Sequence, residues 1–190
     1  IIMTYHFVNL ISWEFFVDNG NSNINKKLKI DSLSLSIMVK VFGYNNHRFS
    51  GLKFYNENNF ESAIFLVSSI TENLTNSFVL PFWKNINDIK LNKEIISKIE
   101  EYENIIIGIS SPKQDSLSFK INKIFPNKNI YCLGAAIYEK YSMKIDFLNI
   151  NWILFLIKKP KRTFYKIYQT VKEILKILFI KKNQIKFKLF

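Results

Sequence analysis

The chain reads as an α/β protein: a mainly parallel sheet with flanking helices, extended by a basic helical appendage at its C-terminal end. Three observations predict this. Apolar runs of strand length alternate with stretches of helical spacing. The runs are continuous, as expected of strands buried on both faces. Nearly all of the +12 net charge falls in residues 151–190, which hold ten lysines and Arg162 against the single acid Glu173, a net of +10.

Residues 5–10 form a first strand, with Asn9 near its end. Residues 19–23, Asn-Gly-Asn-Ser-Asn, are a loop by composition. A short apolar run at 28–30 stops at Asp31, and residues 33–42 have helical apolar spacing before Gly43, a suitable C′ residue. Arg48 to Gly51 lie in the connection that follows. Residues 63–67 form a strand ended by Ser68 and Ser69, residues 78–82 another that Pro81 closes, and residues 91–102 an amphipathic helix. Next comes a strand–helix–strand unit. Ile105 to Ile107 meet Gly108 and two serines, Pro112 opens a helix, and a second run, 130–133, ends on Gly134-Ala135-Ala136. The expected organisation is an α/β domain over 1–150 and an appendage over 151–190.

Composition narrows the function classes. At 190 residues, 48% hydrophobic and 16% aromatic, the chain can bury a core. Cys132 is the only cysteine, so no intrachain disulfide or cysteine zinc cluster forms, and with only His6 and His47 a histidine-based metal site is not expected. There is no HExxH, P-loop or GxGxxG. No apolar stretch has spanning length and the first residues lack signal-peptide features, so a cytosolic location is expected.

Strand order places Asn9, Asp31, Ser68, Gln114 and Gly134 at strand C-termini, where open parallel sheets bind ligands. Asp31 fits two roles there, a helix N-cap or a general base at the mouth of a cleft. Ser111, Pro112 and Asp115 fit a helix start with a serine cap, proline at N1 and an acid in the first turn. That pattern leaves Lys113 and Gln114 unexplained; Lys113 is either solvated or assists phosphate binding beside the helix N-terminus. Gly134 and Ala135 allow close approach of backbone to a nucleotide, or close helix–strand packing.

In the appendage, Ile167, Val171, Ile174, Leu175, Leu178 and Phe179 make one apolar stripe, with Lys172 and Lys176 opposite and Trp152, Phe155, Phe164, Tyr165 and Tyr168 at its start. One reading is a helix packed on the core. The other is an interfacial helix on an anionic membrane surface, with aromatic residues at headgroup level. RNA competes as a partner, but a single arginine fits it poorly, and no nucleic-acid partner is expected.

Taken in order, Gly108-Ile109-Ser110-Ser111-Pro112-Lys113-Gln114-Asp115, then Cys132-Leu133-Gly134-Ala135-Ala136, then Asn151-Trp152-Ile153-Leu154-Phe155 running to Lys159-Pro160-Lys161-Arg162, resemble the three motifs of the WecG/TagA/CpsF family of bacterial glycosyltransferases. Asn9 with Ser12, Asp31-Ser32, and Arg48-Phe49-Ser50-Gly51 follow the family's earlier motifs in the same order, with Ser32 where the family has glycine. The resemblance implies a Rossmann-like sheet. It also implies transfer of an N-acetylmannosamine-like sugar from a nucleotide-sugar, UDP-linked, to an undecaprenyl-diphosphate-linked acceptor at the cytoplasmic face of the membrane. It implies an inverting, metal-independent reaction with no cofactor, with Asp31 as base and Asn9, Arg48 and Gln114 at the substrate. The basic appendage, including Lys161 and Arg162, is implied to hold the diphosphate and dock on the membrane. Homo-oligomers occur in the family. The sequence leaves open a non-catalytic, membrane-bound scaffold of a polysaccharide assembly.

Overall fold

The computed structural model describes residues 3–9, 12, 15–16, 26–41, 47–70, 74, 76–134 and 136–139, and in the appendage 160, 164–165, 167–168, 171–172 and 175. The chain divides into two compact units, Ile1–Lys140 and Tyr141–Phe190.

The first unit is an α/β, Rossmann-like layer structure. Strands β1 (Thr4–Val8), β2 (Lys26–Ile30), β3 (Ala63–Val67), β4 (Ser77–Val79), β5 (Asn104–Gly108) and β6 (Asn129–Cys132) form one sheet in the order β2-β1-β6-β5-β3-β4. Every pairing is parallel. Among the described residues its helices with defined bounds are α1 (Leu33–Val41), α2 (Gly51–Glu57), α3 (Lys93–Glu100), α4 (Lys113–Ile124) and the single turn α5 (Ala136–Glu139), and Ser12, Phe15 and Phe16 are also helical.

The continuous apolar runs are divided between two cores by the two-residue period of the strand. Ile64 and Leu66 of β3, Ile105 and Ile107 of β5, and Ile130 and Cys132 of β6 face one way, packing with Ile95 and Ile99 of α3 and Leu117 and Ile121 of α4. Ala63, Phe65, Val67 and Ile106 face the other way, against Leu52 and Tyr55 of α2 and Ile137 of α5. Much of the aromatic content sits on this second face, where Tyr5 stacks on Tyr131 at 5.4 Å and Phe54 and Phe60 pack around them.

Local signals fix the helix ends. Asn92 Oδ1 accepts from the Ile95 N–H at 2.9 Å, so the helix expected over 91–102 starts at Lys93. It buries Ile95 and Ile99, one turn apart. The strand expected over 78–82 is shorter. The Leu80 N–H still donates to the Val67 carbonyl, but Pro81 has no N–H to continue the ladder. Gly108 closes β5 where α5 crosses: a Cβ there would lie 2.0 Å from Ile137 Cδ1. The small-residue turn thus lets a helix sit directly on a strand end.

In the second unit the described residues Phe164, Tyr165, Ile167, Tyr168, Val171, Lys172 and Leu175 are helical and exposed. Trp152, Phe155, Ile174, Leu178 and Phe179 lie outside the described residues, as do Gly43 and the loop at 19–23. Among the described residues no helix is long and apolar enough to cross a membrane.

Candidate functional site

Parallel strands deliver their C-termini to one edge of the sheet, and there the buried runs give way to polar residues. Asp31 follows β2 directly. Its N–H donates to the Val8 carbonyl at 3.0 Å, which carries the β1–β2 ladder one residue past the strands. Its carbonyl accepts from Arg48 Nε at 2.6 Å. Its Oδ1 accepts from the Gly51 N–H, the first residue of α2, at 3.0 Å. Asp31 is therefore not the cap of α1, as the N-cap reading had it. Ser32 Oγ accepts from the Leu35 N–H at 3.2 Å and takes that place. The aspartate instead anchors the next helix, and its Oδ2 takes no hydrogen bond from any described residue.

The electrostatics of Asp31 are set by two opposed effects. Burial raises its pKa above the ordinary 3.8, while the Gly51 N–H and the Arg48 guanidinium pull it down; burial prevails. A carboxylate that is partly buried, positioned through one oxygen and raised in pKa has the properties of a general base.

A chain of polar side chains runs alongside, from the residues after β1 to the first turn of α4. Asn9 Oδ1 accepts from the Ser12 N–H at 3.0 Å, and Ser12 Oγ donates to Ser111 Oγ at 2.7 Å. Gln114 Nε2 donates to the same Ser111 Oγ at 2.7 Å. Ser111 is thus not the helix cap expected from the sequence. Pro112 occupies that position after a cis Ser111–Pro112 bond, and the Ser110 carbonyl accepts from the Lys113 and Gln114 N–H groups. With its hydroxyl engaged by Ser12 and Gln114, Ser111 joins the two turns instead.

Gln114 is only 3% exposed, and its Oε1 has no hydrogen-bond partner among the described residues. That oxygen would be 3.3 Å from a Cβ on Gly134, which has φ +57. A side chain at Gly134 would be strained by its backbone and would press on the Gln114 amide. Asn9, Asp31, Arg48, Gln114 and Gly134 therefore gather at the ends of β2, β1 and β6 and the start of α4.

Lys113 does not join them. Its ammonium donates to the Trp83 carbonyl and lies 5.3 Å from the Phe82 ring centre. It lines a shallow depression with Pro112, Lys84, Asn85, Ile86 and Asn87. Ser68 is tied away as well, its N–H donating to Tyr138 Oη of α5 at 3.2 Å. Ala135, Lys161 and Arg162 lie outside the described residues.

One buried pair escaped sequence reasoning. His6 Nδ1 and Asp115 Oδ1 are 2.9 Å apart, with the side chains 0% and 1% exposed. Asp115 is the acid of the first helical turn, as expected, but it is buried against His6. Cys132 lies beside the pair, its thiol pushed well above the ordinary value by burial and then by Asp115. The signal was present in the composition of α4, where Ser116 and Ser118 are buried with Asp115 in a helix of few apolar residues. No protein-family model, curated protein or solved structure matches the chain.

The raised pKa of Asp31 has a consequence for stability. The folded state holds the Asp31 proton more tightly than the unfolded chain does, so the cost of the buried carboxylate is absent below pH 3.8. It appears as pH rises through the folded value and persists above it. Asp31→Asn removes this cost and keeps an acceptor for the Gly51 N–H. Urea unfolding of wild type and variant across pH 3.5 to 7 should show nearly equal midpoints at the acid end. The variant should gain increasingly toward neutrality. A variant less stable than wild type at pH 7 would contradict the assignment of burial as the dominant effect.

Proposed function

We propose that this chain is a membrane-associated glycosyltransferase that moves an N-acetylmannosamine-like sugar from a UDP-sugar to an undecaprenyl-diphosphate-linked acceptor in cell-envelope polysaccharide biosynthesis. The reading rests on the motif resemblance together with one observation. Asp31 stands at the C-terminal edge of the sheet with Oδ1 held by the Gly51 N–H, Oδ2 free of described donors and its pKa raised.

In this mechanism the acceptor hydroxyl oxygen attacks the anomeric carbon as the bond from that carbon to the UDP oxygen breaks. The hydroxyl proton passes to Asp31, and UDP leaves with the bonding electron pair. Attack opposite the leaving group inverts the anomeric configuration. The resemblance assigns Lys161 and Arg162 a share of the diphosphate's charge. Gln114 positions the turn rather than touching substrate: its Nε2 holds Ser111 and its buried Oε1 packs against the Gly134 backbone. No metal ion is assigned a part in the transfer.

The appendage supplies the membrane contact in this reading. Phe164, Tyr168, Val171 and Leu175 fall on one helical stripe and all are exposed, in a segment of net charge +10. An apolar stripe flanked by lysines suits the headgroup layer of an anionic bilayer, where each basic residue near the surface adds about 1 kcal/mol.

Turnover of a panel of UDP-sugars with a short polyprenyl-diphosphate acceptor, with no divalent ion added to the assay, tests the chemistry. Wild type should transfer one donor and Asp31→Asn should lose roughly 10²- to 10⁴-fold in rate, as for removal of a general base. Wild type that neither turns over nor binds any donor would favour the scaffold reading. Full activity in Asp31→Asn would remove that residue from the mechanism. Vesicle sedimentation tests the appendage. Binding should require anionic lipid and be lost in Val171→Glu/Leu175→Glu; equal binding to neutral vesicles, or undiminished binding by the variant, would sink the membrane assignment.

A further inference from the structure

The polar cluster in the core between α4 and the sheet has no place in the transfer mechanism. We propose that His6, Asp115 and Cys132 form a buried structural site for a divalent ion of the zinc class. His6 on β1 and Cys132 on β6 are register partners, so their side chains leave the same face of the sheet. The first turn of α4 brings Asp115 over them. One ligating atom from each residue lies within 4.8 Å of the other two, and His6 Nδ1 is 2.9 Å from Asp115 Oδ1. Tetrahedral zinc, with bonds of about 2.0–2.3 Å, needs ligand atoms about 3.3–3.8 Å apart, a small adjustment from this arrangement. Nitrogen, oxygen and sulfur together suit a borderline-soft ion rather than calcium or magnesium.

Charge balance gives a second, independent argument. All three residues are essentially inaccessible to solvent, where a net charge is costly. A thiolate, a carboxylate and a divalent cation sum to zero. Among the described residues Asp115 Oδ2 is buried with no hydrogen-bond partner, so the carboxylate keeps lone pairs for an ion. Coordination through Nδ1 fixes the proton on Nε2, in a ring packed nearly perpendicular to Phe16 and Phe119. The Gln114 carbonyl lies 3.9 Å from Cys132 Sγ, and the fourth position falls to it or to a water molecule. Binding releases the thiol proton to solvent and leaves every oxidation state unchanged. The ion would pin β1, β6 and α4 together one residue from Gln114, and it takes no part in the chemistry at Asp31.

Metal analysis of the purified full chain, expressed with added zinc, tests this directly. We expect about one zinc per wild-type chain and less than about a tenth of that in Cys132→Ser and in His6→Gln. Cobalt loading of the wild-type chain should give a near-ultraviolet thiolate-to-cobalt absorption band, and this readout stands even if the variants fail to fold. Wild type with less than about a tenth of an equivalent of zinc and no such band would overturn the site, as would full zinc retention by a folded Cys132→Ser chain.

Discussion

The structure depends on burial of a parallel sheet from both sides. Each central strand offers apolar side chains to two faces, and neither face can be left to water. Ala63 to Val67 are buried throughout, as are Ile105 to Gly108. Helices must therefore cover both faces, and the chain must return to the same end of the sheet before each strand. Polar residues consequently collect where strands end and helices begin. Gly108 shows how tight this arrangement is, since Ile137 occupies the space that any side chain there would need.

At that edge, groups that would be solvated on an ordinary surface are drawn into partial burial and then fixed by backbone donors. Asp31 is held by the Gly51 N–H and has Arg48 beside it, yet burial still leaves it more basic than an ordinary aspartate. Gln114 is nearly inaccessible, with one amide hydrogen given to Ser111 and its oxygen given to no described residue. Both arrangements cost stability relative to a fully paired alternative. A protein that tolerates two such costs along one edge of its sheet has the properties of a ligand site rather than of a packing core.

Much of this was legible in the residues. The runs at 63–67, 105–107 and 130–133 gave strands because they are too short for helices and end on Ser or Gly. The residues closing those runs marked the C-terminal edge, and Asn9, Asp31, Gln114 and Gly134 do gather there. What failed was side-chain direction. Lys113 sits next to Gln114 in sequence, but the helix sends it to Trp83 and Phe82. Ser32 holds the cap expected of Asp31 because the Asp31 carboxylate is claimed by the N–H of Gly51, twenty residues on. The pairs His6–Asp115 and Ser12–Ser111 span about a hundred residues, and only the strand order β2-β1-β6-β5 brings them together. Spacing along a chain carries no information about that order.

The central claim is that the C-terminal edge of the sheet, around Asp31 and Gln114, is where this chain binds a nucleotide-linked ligand. Titration of UDP into the ¹⁵N-labelled chain, followed by amide chemical shifts, tests it most directly. The account predicts saturable shifts at Asn9, Asp31, Gly51, Gln114 and Gly134, with Ala63, Asn104 and Asn129 at the opposite ends of their strands unmoved. Shifts confined to the opposite edge or to the basic appendage, or none at saturating UDP, would contradict it.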